Sequence, residues 1–148
     1  MRRFLKIFIV ALLCFLTALP LSACNSKNLL QDGYYTAKAQ EYSHGWREFV
    51  TIMVQDGEIV SAEYNAENSS GFIKSWDNAY MKNMLSVTGT YPNAYTRFYS
   101  SQLLGAEDTI QIEALAGATQ SYGRFQKLVA AVIEQAKKGD STTIIVDA

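Results

Sequence analysis

Histidine occurs once in the 148 residues and cysteine twice. A hydrolase site needs a nucleophile, a base and an orienting group within hydrogen-bond reach of one another. With His44 as the single imidazole and no nucleophile motif beside it, such a set cannot be assembled. Cys14 and Cys24 are too few for a disulfide framework or a thiolate metal centre. No zinc-type or phosphate-loop spacing and no internal repeat occurs. Basic residues are not in excess, with 13 Lys and Arg against 14 Asp and Glu. Nucleic acid is therefore not an expected partner, because phosphate binding needs a basic face. The chain has one long uncharged apolar run, "FIVALLCFLTALPLSA", and it falls short of the roughly 20 residues of a spanning helix.

That run follows a short basic start (Arg2, Arg3, Lys6) and ends in small residues, the layout of an export signal. It closes on "LSAC", Leu21 to Cys24, which resembles the lipobox of bacterial lipoproteins. In that pattern the cysteine is lipidated and becomes the first residue of the mature chain. The other reading of Cys24, a disulfide to Cys14, fails if Cys14 leaves with the leader. The organisation expected is a signal peptide over 1–23, a lipidated tether over 24–31 and one domain over 32–148. Removing the leader leaves 125 residues, with 10 basic against 14 acidic, enough for a domain with its own core. The protein is then held at the cell membrane, on its extracytoplasmic face, by a lipid anchor.

Within the domain, "DGYYTAKAQEY" (Asp32 to Tyr42) carries strand-type residues behind a turn dipeptide. Val50, Ile52 and Val54 alternate with Thr51, Met53 and Gln55. Asp56-Gly57 then supplies a tight turn, and Ile59 to Tyr64 returns, which predicts a hairpin. From Ser75 the period becomes helical, at Trp76, Ala79, Tyr80, Met84 and Val87, closed by Gly89. A second helix starts near Pro92, carries Tyr95, Phe98, Tyr99 and Leu103 on one side, and ends at Gly105. "AEDTIQIEALAGATQ" reads as a short strand and a turn. The last helix places Tyr122, Phe125, Leu128, Val129, Val132, Ile133 and Ala136 on one face. Arg124, Gln126, Lys127, Glu134 and Gln135 are expected to face away, and Lys137, Lys138 and Gly139 to close the helix. "STTIIVDA" is a candidate final strand. The fold class is α+β: a small antiparallel sheet with helices packed on one face.

Two places can carry chemistry. His44 lies in "YSHGW" between two strands. It is either a hydrogen-bonded loop residue or, with Trp46, part of a ligand pocket in which the indole is a stacking surface. Tyr42 stands beside them, and the later segment "ENSSGFIKSWDNAY", with Lys74 and Trp76, adds polar groups beside aromatics. The second place is "EALAGATQSYGRF", where Ala116, Gly117 and Ala118 leave the backbone unobstructed before Thr119. The first N–H groups of a helix have no internal partner and the dipole there is positive, so a phosphate on Thr119 would be stabilised by both. Alternatively Thr119 or Ser121 caps the helix, worth about 1 kcal/mol. The local physics leaves both readings open.

At these residues the sequence resembles the FMN-binding domain family. That family includes the flavin-carrying extracytoplasmic subunits of sodium-translocating NADH:quinone oxidoreductase and Rnf complexes. Gly117 and Ala118 match its Ser-Gly-Ala-Thr-type motif directly, and Thr119 takes the place of the threonine that receives FMN through a phosphoester. Glu113 stands where the family has Asp, and Ala116 where it has Ser or Thr. The resemblance runs over Asp32 to Lys138 and includes the "HGW" turn, the DG hairpin and the "KSWDNAY" segment. It implies an electron-carrier flavoprotein, not a substrate-transforming enzyme, with FMN as cofactor. Its implied partners are a magnesium-dependent flavin transferase using FAD, and membrane electron-transfer proteins or a quinol oxidation system. His44, Trp46, Tyr42 and Lys74 are the implied ring contacts, and Ser121 begins the phosphate-holding helix. The alternative is a surface lipoprotein of the same fold that binds a small aromatic ligand or a protein partner without covalent flavin.

Overall fold

The computed structural model describes residues 30–106 and 110–148. The leader, Cys24 and all of the tether before Leu30 lie outside the described residues. Three strands come first: β1 (Gly33–Ala39), β2 (Arg47–Gln55) and β3 (Glu58–Glu67). The alternation in β2 sets its facing, with Val50 and Ile52 fully buried and Val54 2% exposed. Asp56 and Gly57 take φ of 55° and 80°, the two left-handed residues that a tight hairpin turn requires. β2 pairs antiparallel with both neighbours, with Val50 opposite Tyr64 and Ala37 opposite Val50.

After a single 3₁₀ turn (Lys74–Trp76) come α1 (Asn78–Thr88), α2 (Pro92–Ser101) and α3 (Thr119–Lys138), then β4 (Ile144–Val146). β4 pairs with β1 in the parallel sense, so the sheet is mixed, in the order β3-β2-β1-β4, and not wholly antiparallel as expected. The reason is the connection. β4 is reached through α3 and the turn at Gly139, not through a hairpin, and parallel neighbours need a crossover of this kind.

α2 and α3 cover one face of the sheet. Tyr99, Phe125 and Leu128 are fully buried there against Val50, Ile52 and Tyr64. The Phe125 ring lies 4.7 Å from Tyr64 and 5.1 Å from Tyr99. On the other face Thr36 and Thr51 share a hydrogen bond of 2.9 Å, and Lys38 and Arg47 both bind Glu67.

Four expectations are revised. Trp76 sits in the 3₁₀ turn and not in the helix after it, and is 65% exposed. α1 forms, capped by Asp77 at one end and Gly89 at the other, but buries none of its residues. Residues 110–115 form no strand, and their backbone groups bond side chains of Tyr99, Gln102 and Tyr122 instead. Gln102 exchanges hydrogen bonds with the Glu113 backbone, and the Leu115 N–H donates to Tyr99 at 3.2 Å. Gln135, expected outward, is buried, and its amide donates to the Thr142 carbonyl at 3.2 Å.

Candidate functional site

The turn before α3 is shaped by Gly117. Its φ is +81°, and a Cβ placed there would collide with the Thr88 carbonyl oxygen and sit 3.1 Å from Thr90 Cγ2. Only glycine lets this turn press against the end of α1. The Ala118 N–H donates back to Leu115 at 3.1 Å, and α3 begins at Thr119. Its N-cap is Ala118, and no side chain caps the helix. Thr119 is the first helical residue and is exposed, so it does not play the capping role left open for it. Ser121 does not cap either; its carbonyl accepts from the Tyr64 hydroxyl at 3.2 Å.

Thr119 lines a cavity of about 350 Å³. His44, Lys74, Gly117, Ala118 and Ser121 line it too, so six of the sequence-predicted residues converge there. His44 reaches the rim through a two-residue turn in which Ser43 and Trp46 bond each other's backbone, at 2.7 and 3.0 Å. His44 itself takes φ 53°, a left-handed strain that histidine bears better than most residues. Ser43 Oγ lies 3.1 Å from His44 Nδ1. Trp46 is buried behind the cavity, edge-on to Tyr80 with ring centroids 6.1 Å apart. Tyr42 is not brought in: it is exposed, with its ring against the Arg47 guanidinium.

Lys74 is only 8% exposed, with its ammonium 4.6 Å from the Tyr80 ring centre and 6.0 Å from that of Trp46. Aromatic faces at these distances attract a cation. Glu48, Tyr80, Tyr95 and Arg124 are among the lining residues that the sequence did not single out as site residues. Glu48 is buried; its Oε2 accepts from the Tyr64 hydroxyl at 2.8 Å and its Oε1 lies 3.5 Å from Arg124 Nη1. Burial pushes the Glu48 carboxyl up, against the pull of Tyr64, Arg124 and Lys74. The phenols of Tyr64 and Tyr95 are also raised, chiefly by burial, so both remain donors. The period that turns Val50 inward also turns Glu48 inward, and that was the signal available for it.

A larger cleft of about 720 Å³ lies beside β3 and α2, walled by Phe49, Trp76 and Arg97. Much of its polar lining is already engaged. Asn65 bonds Glu63 and Ser75, and Ser100 accepts from the Tyr64 N–H. The smaller cavity, with an exposed hydroxyl, an uncapped helix end and two cations, is the better chemical site. Among the described residues no cluster of three or more His, Cys, Asp and Glu could hold a metal ion.

This architecture, a four-stranded mixed sheet covered by helices on one face, is shared with a solved protein. The crystal structure of the CPE2226 protein from Clostridium perfringens superposes with a TM-score of 0.76 at 31% identity, covering 81% of this chain and 99% of that one. The chain belongs to the same family as that protein. It is also 28% identical over 129 residues to the 15 kDa lipoprotein of Treponema pallidum (strain Nichols), covering 86% of this chain and 91% of that protein. That relative supports reading this chain as a lipoprotein. A solution structure from Clostridium thermocellum aligns at 23% identity with a TM-score of 0.42, too remote to carry an argument. No protein-family model matches the chain.

Proposed function

We propose that this lipoprotein carries FMN, joined through a phosphoester to the Thr119 hydroxyl, and acts as an electron carrier at the extracytoplasmic face of the cell membrane. One observation carries the reading: an exposed Thr119 begins an uncapped helix and lines a cavity with Lys74 and Arg124. The residues present suit such a group. The uncapped end of α3 offers backbone N–H groups and a positive dipole to a phosphate. Lys74 and Arg124 supply positive charge, and Tyr80 and Tyr95 supply aromatic wall. The cavity falls in the roughly 300–1,000 Å³ range of small-molecule sites.

When bound, FMN supplies the redox chemistry, and the protein supplies position and electrostatics. Gly117 holds the turn that presents Thr119. Trp46 and Tyr80 hold the Lys74 ammonium, and the His44 turn forms the rim. A magnesium-dependent flavin transferase would deliver the FMN from FAD. Glu113 and Ala116, which differ from the family motif, are both exposed and so lie open to such an enzyme. Membrane electron-transfer proteins or a quinol oxidation system would exchange electrons with it.

The test is co-expression with a flavin transferase, followed by intact mass and in-gel flavin fluorescence after denaturation. The expected result is one added FMN, absent from Thr119→Ala. A native protein without the added mass, or an unchanged signal from Thr119→Ala, overturns the proposal. The larger cleft with its exposed Trp76 favours the second reading, a binding lipoprotein without covalent flavin. That reading expects the unmodified mass and ligand binding weakened by Trp76→Ala.

A further inference from the structure

β2 carries an ionisable group into the core along with its apolar ones. Glu48 lies in register with Val50, Ile52 and Val54, is 5% exposed, and lines the cavity at whose mouth Thr119 stands. A buried carboxylate is costly unless it is paired. Its pairing here is thin: one hydroxyl bond from Tyr64 at 2.8 Å and one contact to Arg124 at 3.5 Å. The latter is longer than the roughly 2.7–2.9 Å of a charge-assisted bond. Charged and titratable groups from the surrounding elements bond the carboxyl or line the same cavity. They are Tyr64 on β3, Arg124 on α3, Lys74 in the 3₁₀ turn, Tyr95 on α2, Tyr80 on α1 and His44 at the rim. Burial favours the protonated acid, while Tyr64, Arg124 and Lys74 favour the anion. A carboxyl held between opposing influences changes protonation when a charge is added beside it.

We propose that Glu48 is the proton-exchanging residue of this cavity. When an electron enters from an electron-transfer protein onto a cofactor held at Thr119, the Glu48 carboxylate takes one proton from solvent. It returns that proton when the electron leaves. Within the protein one O–H bond forms on Glu48, and the charge added to the cavity is cancelled. Tyr64 stays protonated throughout, donating to the same carboxyl group. This inference rests on the flavin reading above.

Two measurements test it. In flavin-free protein, carboxyl-carbon NMR should show Glu48 holding its proton above the ordinary carboxylate range. Tyr64→Phe should move the titration higher still, because it removes a bond that favours the anion. In flavin-loaded protein, the midpoint potential should fall with rising pH over a window set by Glu48. Glu48→Gln should remove that window while intact mass still shows the flavin. If Glu48→Gln does not fold, Tyr64→Phe should shift the window to higher pH. Ordinary titration of Glu48, or flavin-loaded variants whose potential curves superimpose on the native one, overturns the proposal alone. Absence of flavin from the native protein overturns it together with the flavin reading.

Discussion

The two ends of α3 are built in opposite ways. At the far end Gly139 takes the left-handed conformation, and its N–H reaches the Ala136 and Gln135 carbonyls. The Asp140 and Gln31 N–H groups bond the same two carbonyls, and Lys137 and Lys138 complement the dipole. At the near end Ala118 offers no cap, and Thr119 and Gln120 are exposed. One end is closed within the fold, and the other leaves its first N–H groups without a side-chain cap. On the proposed reading, a phosphate at Thr119 would recover the roughly 1 kcal/mol of capping left unused there.

Substitutions can break this contrast, from large effects to small. Phe125→Ala removes the ring packed against Tyr64 and Tyr99 beneath the helix and should cost about 3–5 kcal/mol, read as a lowered denaturant midpoint. Gly117→Ala comes next. The left-handed backbone alone costs about 1–3 kcal/mol, the new Cβ meets the Thr88 carbonyl, and flavin attachment should fall with the turn's geometry. At the closed end Gly139→Ala should cost only the backbone strain, about 1–2 kcal/mol, since its Cβ would meet the Gln31 side chain at an ordinary 3.5 Å.

Glu48→Gln reports through pH. The raised carboxyl means that the fold favours the protonated form, so this residue's contribution is present in acid and lost as pH rises through the raised value. The variant should therefore be no less stable than the native protein at neutral pH. It should lose ground only on acidification, in paired unfolding curves. Smallest in stability is Thr119→Ala, within about 0.5 kcal/mol as for other surface changes, yet it should abolish covalent flavin.

Local rhythm makes much of this legible in the sequence. Period two set Val50, Ile52 and Val54 inward and Asp56-Gly57 at the turn. Period 3.6 set Phe125, Leu128 and Val132 on the buried face of α3. The same periods misled where a residue's partner, not its polarity, decides its facing. Arg124 reads as a solvent residue because it is charged, yet it turns to Glu48, far away in the chain. Gln135 reads the same way but is drawn in by the Thr142 carbonyl. The parallel sense of β4 was invisible, because it depends on how a helix returns the chain and not on any feature of "STTIIVDA". That His44, Lys74 and Thr119 share one cavity is likewise a property of the closed fold.

The hydrogen bond from the Gln31 N–H to the Ala136 carbonyl, 2.9 Å long, fastens the incoming chain to the closed end of α3. At 1.5 Å of rise per residue, Thr119 stands roughly 25 Å along the rod from that joint. The point where the chain enters the fold and the exposed Thr119 therefore stand at opposite ends of one helix. Whatever binds at Thr119 is held a full helix length away from that joint.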